Sequence, residues 1–245
     1  MVKAVPRPSK TYGETVCCAG VTGSGEWRRI FPVRFRQLAS AQQFARWQWV
    51  RYSWRRPVGD NRIESRRVEE NTLKTVRRHP EADRWRVLSP LLRASTRDAA
   101  ERRESLALIE PRDLRLRAKP KTPSFLAEER ARYQAAARQH GMFDRTVAEI
   151  EPCPYSVAIA FTDHDGEKHT PQCGDWETTA AFFNLRRSMT DPDIIRHLES
   201  TYTQPRPGSR ILLAMGTVKS RPRQWLLLGV LRVRDPAPGQ FQLGL

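Results

Sequence analysis

Residues 14–56 read ETVCCAGVTGSGEWRRIFPVRFRQLASAQQFARWQWVRYSWRR, and this stretch sets the expectation for the first half of the chain. Glu14–Val21 is rich in β-formers and reads as a strand. Thr22-Gly23-Ser24-Gly25 is a turn, and Glu26–Phe35 is the returning strand, so the segment is a hairpin with a four-residue loop. Pro32 has no N–H to give a ladder, which places the second strand at an edge or a bulge. Arg36–Arg46 reads as a short helix with Leu38, Ala41, Phe44 and Ala45 inward. Trp47–Arg56 reads as the next strand, with Trp47, Trp49 and Arg51 on one face and Gln48, Val50, Tyr52 and Trp54 on the other. Four of the seven tryptophans lie here (Trp27, Trp47, Trp49, Trp54), among many arginines and no lysine. Flat rings beside planar cations suit single-stranded or irregular nucleic acid.

Outward from that stretch, the charge is uneven. The whole chain carries +16. Residues 1–120 hold 27 Lys+Arg against 13 Asp+Glu, and residues 121–245 hold 16 against 14, so nearly all of the excess lies in the first half. Such an excess speaks to polyanionic partners rather than to fold. Arginine forks onto phosphate and guanine and stacks on bases; a GC-rich genome would also favour Arg codons. No apolar run approaches a membrane span of about 18 residues, and MVKAVPRPSK has no apolar core of a signal peptide. Four cysteines, two of them adjacent (Cys17, Cys18), form no disulfide framework. A cytoplasmic, reduced protein with no membrane association is expected.

Arg62–Glu70 suggests another strand. Glu81–Ala94 and Ser95–Leu108 read as arginine-rich helices, Ser95 and Asp98 resembling a capping box. Leu106–Arg117 returns to strand and is broken by Pro111. Ala118–Ser124, with two prolines and no large apolar residue, is the linker candidate. Phe125–His140 is a helix closed by Gly141. Tyr155–Thr162 is a strand, Asp163–Gly166 a turn, and Glu167–His169 the start of a return strand. Trp176–Met189 and Pro192–Tyr202 are helices, the second with Asp191 as N-cap. Arg210–Met215 and Gln224–Val233 are the most apolar segments and read as buried strands; Asp235–Leu245 reads as an extended cover. The expected fold is therefore α+β. A β-rich, OB-like, barrel-type unit over residues 1–120 leads through an arginine-rich helical stretch to a mixed strand and helix unit over residues 121–245.

Four constellations are candidates for function. The first is a stacking and phosphate-tracking surface made by Trp47 and Trp49 with Arg28, Arg29, Arg34, Arg36, Arg51, Arg55 and Arg56. Against it stands a plainer reading, in which Trp27, Trp49 and Trp54 are core and the arginines are solvated. Neighbouring arginines on a strand face opposite ways, so no single groove uses all of them. The second is a basic helical cover, Arg77, Arg78, His79, Arg84, Arg86, Arg93, Arg97, Arg102 and Arg103. It reads as a solvated face over Leu88, Leu91 and Leu92, with a recognition helix as the alternative. The third is Cys153, His164, His169 and Cys173, the residue types zinc takes. Their C-x10-H-x4-H-x3-C spacing lacks a tight C-x2-C pair, so satisfied or exposed side chains are expected. The fourth is the carboxylates Asp163, Asp165, Glu167, Asp175 and Glu177 near Lys168 and His169, which comes close to the inventory of a Mg²⁺-dependent nuclease, Asp163, Asp165, Asp175, Glu177 and Lys168 being its candidate catalytic residues. The same acids suit a hairpin turn and the first turn of a helix. No Walker A loop, dinucleotide fingerprint, H-E-x-x-H or G-x-S-x-G motif is present.

CCAGVTGSGEWRRIFPVRF resembles the opening of OB-type β-barrel proteins from prokaryotic defence and mobile-element neighbourhoods, in which a small pair, a turn and G-x-W-x-R-x-x-P follow one another. Gly25, Trp27, Arg29 and Pro32 fall in that pattern, though the Arg–Pro spacing departs from the tight one of the dual-OB type. His169 through Asp175-Trp176-Glu177, and Gly216 through Pro222, Trp225 and Gly229, resemble segments of an uncharacterised prokaryotic family. Its members often carry cysteines ahead of the matching His, where this chain has Phe161-Thr162 and Asp165, which counts against zinc. The resemblance covers about a third of the chain and implies OB-like binding. The expectation is a non-enzymatic nucleic-acid-binding protein, DNA or RNA, acting as an accessory subunit of a prokaryotic nucleic-acid-processing or antiviral defence complex with protein partners. No cofactor is expected, and Mg²⁺ enters only with the nuclease alternative. A protein-binding adaptor is the third reading.

Overall fold

The fold is α+β in the computed structural model, which describes residues 1–9, 12–138 and 148–235. Two short strands, β1 (Val2–Lys3) and β2 (Arg7–Ser9), lie antiparallel on β3 (Gly13–Val21). The Thr22–Gly25 turn brings the chain back as β4 (Trp27–Val33). Gly25 takes φ +73°, a left-handed position that glycine adopts freely, and Thr22 Oγ1 accepts the Glu26 N–H at 3.1 Å. The ladder slips between Val16 and Cys18, opposite the Pro32 region, so the expected bulge is present.

The next strands are β5 (Gln48–Arg51), β6 (Trp54–Arg55) and β7 (Ser65–Val68). β7 pairs in parallel with Arg29–Phe31, which makes β4 an interior strand whose pairing with β7 ends just before its proline. β6 then pairs with β7 and completes a sheet ordered β1-β3-β4-β7-β6. None of the sheets closes into a barrel among the described residues, which corrects the expectation of a barrel-type unit. Arg36–Arg46 forms turns, not a helix. Backbone bonds run Leu38 to Arg34 and Gln43 to Ala39, then stop. The Gln42 side-chain amide bonds the Glu70 and Leu73 carbonyls instead, while Leu38 and Phe44 are buried as expected.

β8 (Lys74–Arg78) pairs antiparallel with β5 in a separate two-stranded ribbon. Trp47–Arg56 is therefore not one strand; it breaks at Tyr52-Ser53 and serves two sheets. α1 (Arg84–Leu88) is flanked by 3-10 turns, and β9 (Leu92–Arg93) and α2 (Thr96–Glu101) follow. The Asp98 N–H donates to Ser95 Oγ at 3.0 Å, the expected cap. The rest of the expected second helix is β10 (Leu106–Ile109). β11 (Arg112–Pro120) and α3 (Pro123–Ala137) take up most of the expected linker. Ala118–Pro120 pairs with Tyr155–Val157, and Thr122 caps α3, accepting the Phe125 N–H. The two prolines sit where proline is tolerated, at the end of a strand and the start of a helix. Gly141 and residues 236–245 of the expected cover lie outside the described residues.

β12 (Tyr155–Thr162), β13 (Lys168–His169), α4 (Trp176–Leu185) and α5 (Asp191–Thr203) follow closely where the sequence puts them. The N-cap of α5 is Thr190 rather than Asp191, because its hydroxyl accepts the Asp193 N–H. β14 (Ser209–Val218) and β15 (Arg221–Arg234) form the longest hairpin.

The sheet β15-β14-β10-β9 is the centre of the molecule. Leu106, Leu108, Leu212 and Ala214 face one way, against Val2, Ala19, Trp27 and Leu88. Ala107, Ile109, Leu213 and Met215 face the other, against Ile159 and Phe161. Covering on both faces is why these segments are apolar almost without interruption. Residues of the first 94 thus share a core with residues beyond 200. Gly229 sits where β1 crosses β15; a Cβ there would meet Val2 Cγ1 at 2.8 Å. Polar contacts reinforce the seam. Arg29 donates to the Ser105 carbonyl at 3.0 Å, and Glu64 accepts the Ser105 N–H at 2.7 Å. Among the described residues no helix is long and apolar enough to cross a membrane.

Candidate nucleic-acid interface

The β5–β8 ribbon matches Gln48 with Arg78, Val50 with Thr75 and Arg51 with Lys74. Arg51, Lys74, Arg77 and Arg78 are exposed, and none has an ion pair or side-chain hydrogen bond among the described residues. Arg51 and Lys74 are directly opposed. Like charges at facing positions repel, by up to about 1 kcal/mol, and an anion between them would relieve this.

One end of the ribbon walls a cavity of about 310 Å³. Trp27, Trp47, Trp49, Tyr52 and His79 supply its aromatic surface, and no carboxylate is among its lining residues. Trp47 holds φ +62°, a sparse region for so bulky a residue, and its ring lies 4.3 Å from the Arg84 guanidinium. The Trp47 carbonyl accepts the His79 N–H at 2.6 Å, which pins the segment before β5 to the end of β8. Trp49 Nε1–H donates to His79 Nδ1 at 3.2 Å, with the two rings edge to face. An indole N–H only donates, so Nδ1 is the acceptor and neutral His79 carries its proton on Nε2. Burial pushes the Tyr52 hydroxyl pKa up, so it is a neutral phenol at the cavity wall.

The structure sorts the arginine candidates. Arg29 is 4 % exposed and bound to Ser105; it is structural. Arg34 pairs with Glu70 at 3.0 Å, and Arg36 holds Glu14 through two bonds of 2.9 and 2.7 Å. Arg28 pairs with Glu26 within the hairpin while lining the cavity. Arg51, Arg55 and Arg56 are exposed. Trp27 is core, as the plainer reading had it, but Trp54 is 46 % exposed and stacks on Arg66 at 4.3 Å. Lys74 was not singled out by the sequence, and Arg77, Arg78 and His79 were read as helical cover. Alternation in KTVRRH was the available signal, weak because the strand is short and nearly all of it is exposed.

The carboxylates do not converge as a nuclease site requires. Asp163 is fully buried; its Oδ2 meets His169 Nε2 at 2.7 Å and its Oδ1 accepts the Glu167 N–H. Asp175 is the N-cap of α4 and, with Glu177, closes on Arg46 at 2.9 Å each. Burial pushes the Asp175 pKa up, and Arg46 opposes that. Asp165 and Lys168 are exposed on the β12–β13 turn and its return strand. The group within metal-binding reach among the described residues is Asp163, Glu167 and His169, part of that constellation without Asp165, Asp175 or Glu177, and Glu167 is paired with Arg97. The zinc candidates are scattered as well. Cys153 packs beside Leu116 and Phe182, and His164 is exposed. Cys173 lies against the other core, its thiol bonded to Thr178 and pushed up to about 12 by burial.

Two family models cover almost all of the chain. One, described as Domain of unknown function (DUF8758), matches residues 1–94. The other, described as Domain of unknown function (DUF8757), matches residues 90–243, more than half of the chain. The chain belongs to the DUF8757 family. No curated protein and no solved structure matches it. The two models meet at Pro90–Ala94, ahead of the boundary expected near residue 120, and the DUF8757 region takes in β10 and β11, which pair with β14 and β12. The ribbon and the aromatic cavity lie ahead of that junction, apart from Leu231 in the cavity wall.

Proposed function

We propose that this chain is a cytoplasmic nucleic-acid-binding protein that acts without chemistry of its own, as an accessory subunit of a larger prokaryotic complex. The observation that carries the reading is the β5–β8 ribbon. Four exposed cations without acidic partners stand beside an aromatic cavity free of carboxylates. Phosphates favour such cations, and bases favour such rings. Arg36, Arg34, Arg46 and Arg93 are committed to Glu14, Glu70, Asp175 and Glu104, whereas the ribbon gathers its unpaired cations beside the aromatic cavity. Of the acids of the nuclease alternative, Asp175 and Glu177 are engaged by Arg46 and Asp163 by His169, which favours a binder over an enzyme. All four cysteines are unpaired, which suits a reducing compartment.

The test is charge reversal on the ribbon. Arg51→Glu with Lys74→Glu is expected to weaken binding of a fluorescent oligonucleotide by at least about tenfold, since two phosphate contacts become repulsions. The urea midpoint should stay within experimental scatter, because both side chains are exposed. Equal affinity for the reversed and native proteins would sink the proposal.

A further inference from the structure

We infer that the cavity beside the ribbon receives a single unstacked nucleobase, so that the nucleic acid is held with one base turned out of its stack. This rests on the nucleic-acid reading above and names which part of the ligand the site takes. Size is the first reason. At about 310 Å³ the cavity lies at the small end of ligand sites, suited to one ring system and not to a helix. Its walls are the second. Trp47 and Trp49 with Tyr52 offer flat faces, and every base has a π-face to lay on them.

Aromatic cages also take quaternary ammonium groups. Here Arg28 and Arg46 line the cavity and no carboxylate does, their partners Glu26, Asp175 and Glu177 lying outside the lining, which disfavours a cation and favours a neutral base whose phosphates stay outside. The ribbon meets that need: Arg51, Lys74, Arg77 and Arg78 stand exposed on the strands that form one wall. The left-handed backbone of Trp47 fits the same picture, because strained non-glycine residues cluster at ligand sites. Two buried donors in the wall, Trp27 Nε1 and His79 Nε2, have no partner. Both are sealed from solvent, so a base reaches them only as wall rings shift aside; the stacking faces carry the proposal, and the donors would favour a base edge rich in acceptors.

The experiment is an abasic scan. A single-stranded oligonucleotide is prepared with one base removed at each position in turn, and a duplex with and without one mismatch. Binding is read by anisotropy. One position is expected to lose about tenfold on base removal, within the range that one stacked base contributes, and the mismatched duplex should bind more tightly than the matched one. Trp49→Ala should abolish the sensitivity to that position. Because losing Trp49 could disturb His79, Gly23→Leu is the second variant. Gly23 lines the cavity from an exposed turn, and a Cβ there meets nothing within 4 Å, so leucine fills the space without touching the core. It should bind the intact oligonucleotide about tenfold more weakly and the abasic one no differently from the native protein. If every abasic oligonucleotide binds within about twofold of its parent while ribbon reversal still abolishes binding, the base pocket is wrong and the nucleic-acid reading stands. If no oligonucleotide binds at all, both fall.

Discussion

Arg46 is the residue on which the two halves of the sequence depend most directly. It comes from the turns between β4 and β5. It donates to the Val230 carbonyl at 2.6 Å and pairs with Asp175 and Glu177. Asp175 is 1 % exposed, so removing its partner leaves a buried carboxylate without compensation. Arg46→Met is expected to cost about 3–5 kcal/mol, and adding Asp175→Asn should recover part of it; urea unfolding of the two variants checks both statements. Equal stability of Arg46→Met and the native protein would contradict the assignment. None of this was visible in the sequence, where Asp175 and Glu177 read as acids suited to a helix N-terminus or a metal. Glu177 does lie in the first turn of α4, and Asp175, read there as well, is its N-cap. The partner of Asp175 lies 129 residues away, a distance no local pattern spans.

At the scale of elements, the hairpin Gly13–Val33, the strand Tyr155–Thr162 and the helices after Trp176 follow closely from turn chemistry and apolar pattern. The misreadings share one cause. Arg36–Arg46 and Ser95–Leu108 have helical composition, yet they find partners in neighbouring elements: the Gln42 side-chain amide donates to the Glu70 carbonyl, and the backbone of Leu106–Ile109 inserts between β9 and β14. Tertiary pairing overrode a weak local preference. The same holds for β8, whose strand character exists only because β5 lies beside it. The ribbon makes a prediction of its own at this scale. Arg51 faces Lys74 across the strands, so Arg51→Thr should raise the stability of the free protein by a few tenths to about 1 kcal/mol while weakening its hold on nucleic acid. Thermal unfolding and binding of the one variant measure both signs. A loss of stability would show that Arg51 is structural.

For the molecule as a whole, the sequence separated a basic half from a nearly neutral one, and that contrast stands. The division at residue 120 does not correspond to a break in the fold. β10 and β11 join the later strands, and the core beneath Trp27 also contains Leu212 and Leu231. The nearly unbroken apolar runs of β14 and β15 made them legible as buried strands, but not which earlier segments they would cover. The basic surface is also smaller than composition suggests, because Arg29, Arg34, Arg36 and Arg46 hold the fold together. The ribbon gathers unpaired cations beside the aromatic cavity, with Arg55 and Arg56 near it in sequence. The most direct measurement is the affinity for a single-stranded oligonucleotide across a salt series. With about four phosphates engaged, log K should fall against log salt with a slope near −3, at about −0.7 per contact, and the slope should shrink by about 1.4 when Arg51 and Lys74 are both made alanine. An affinity unchanged between about 50 and 300 mM salt would contradict the account.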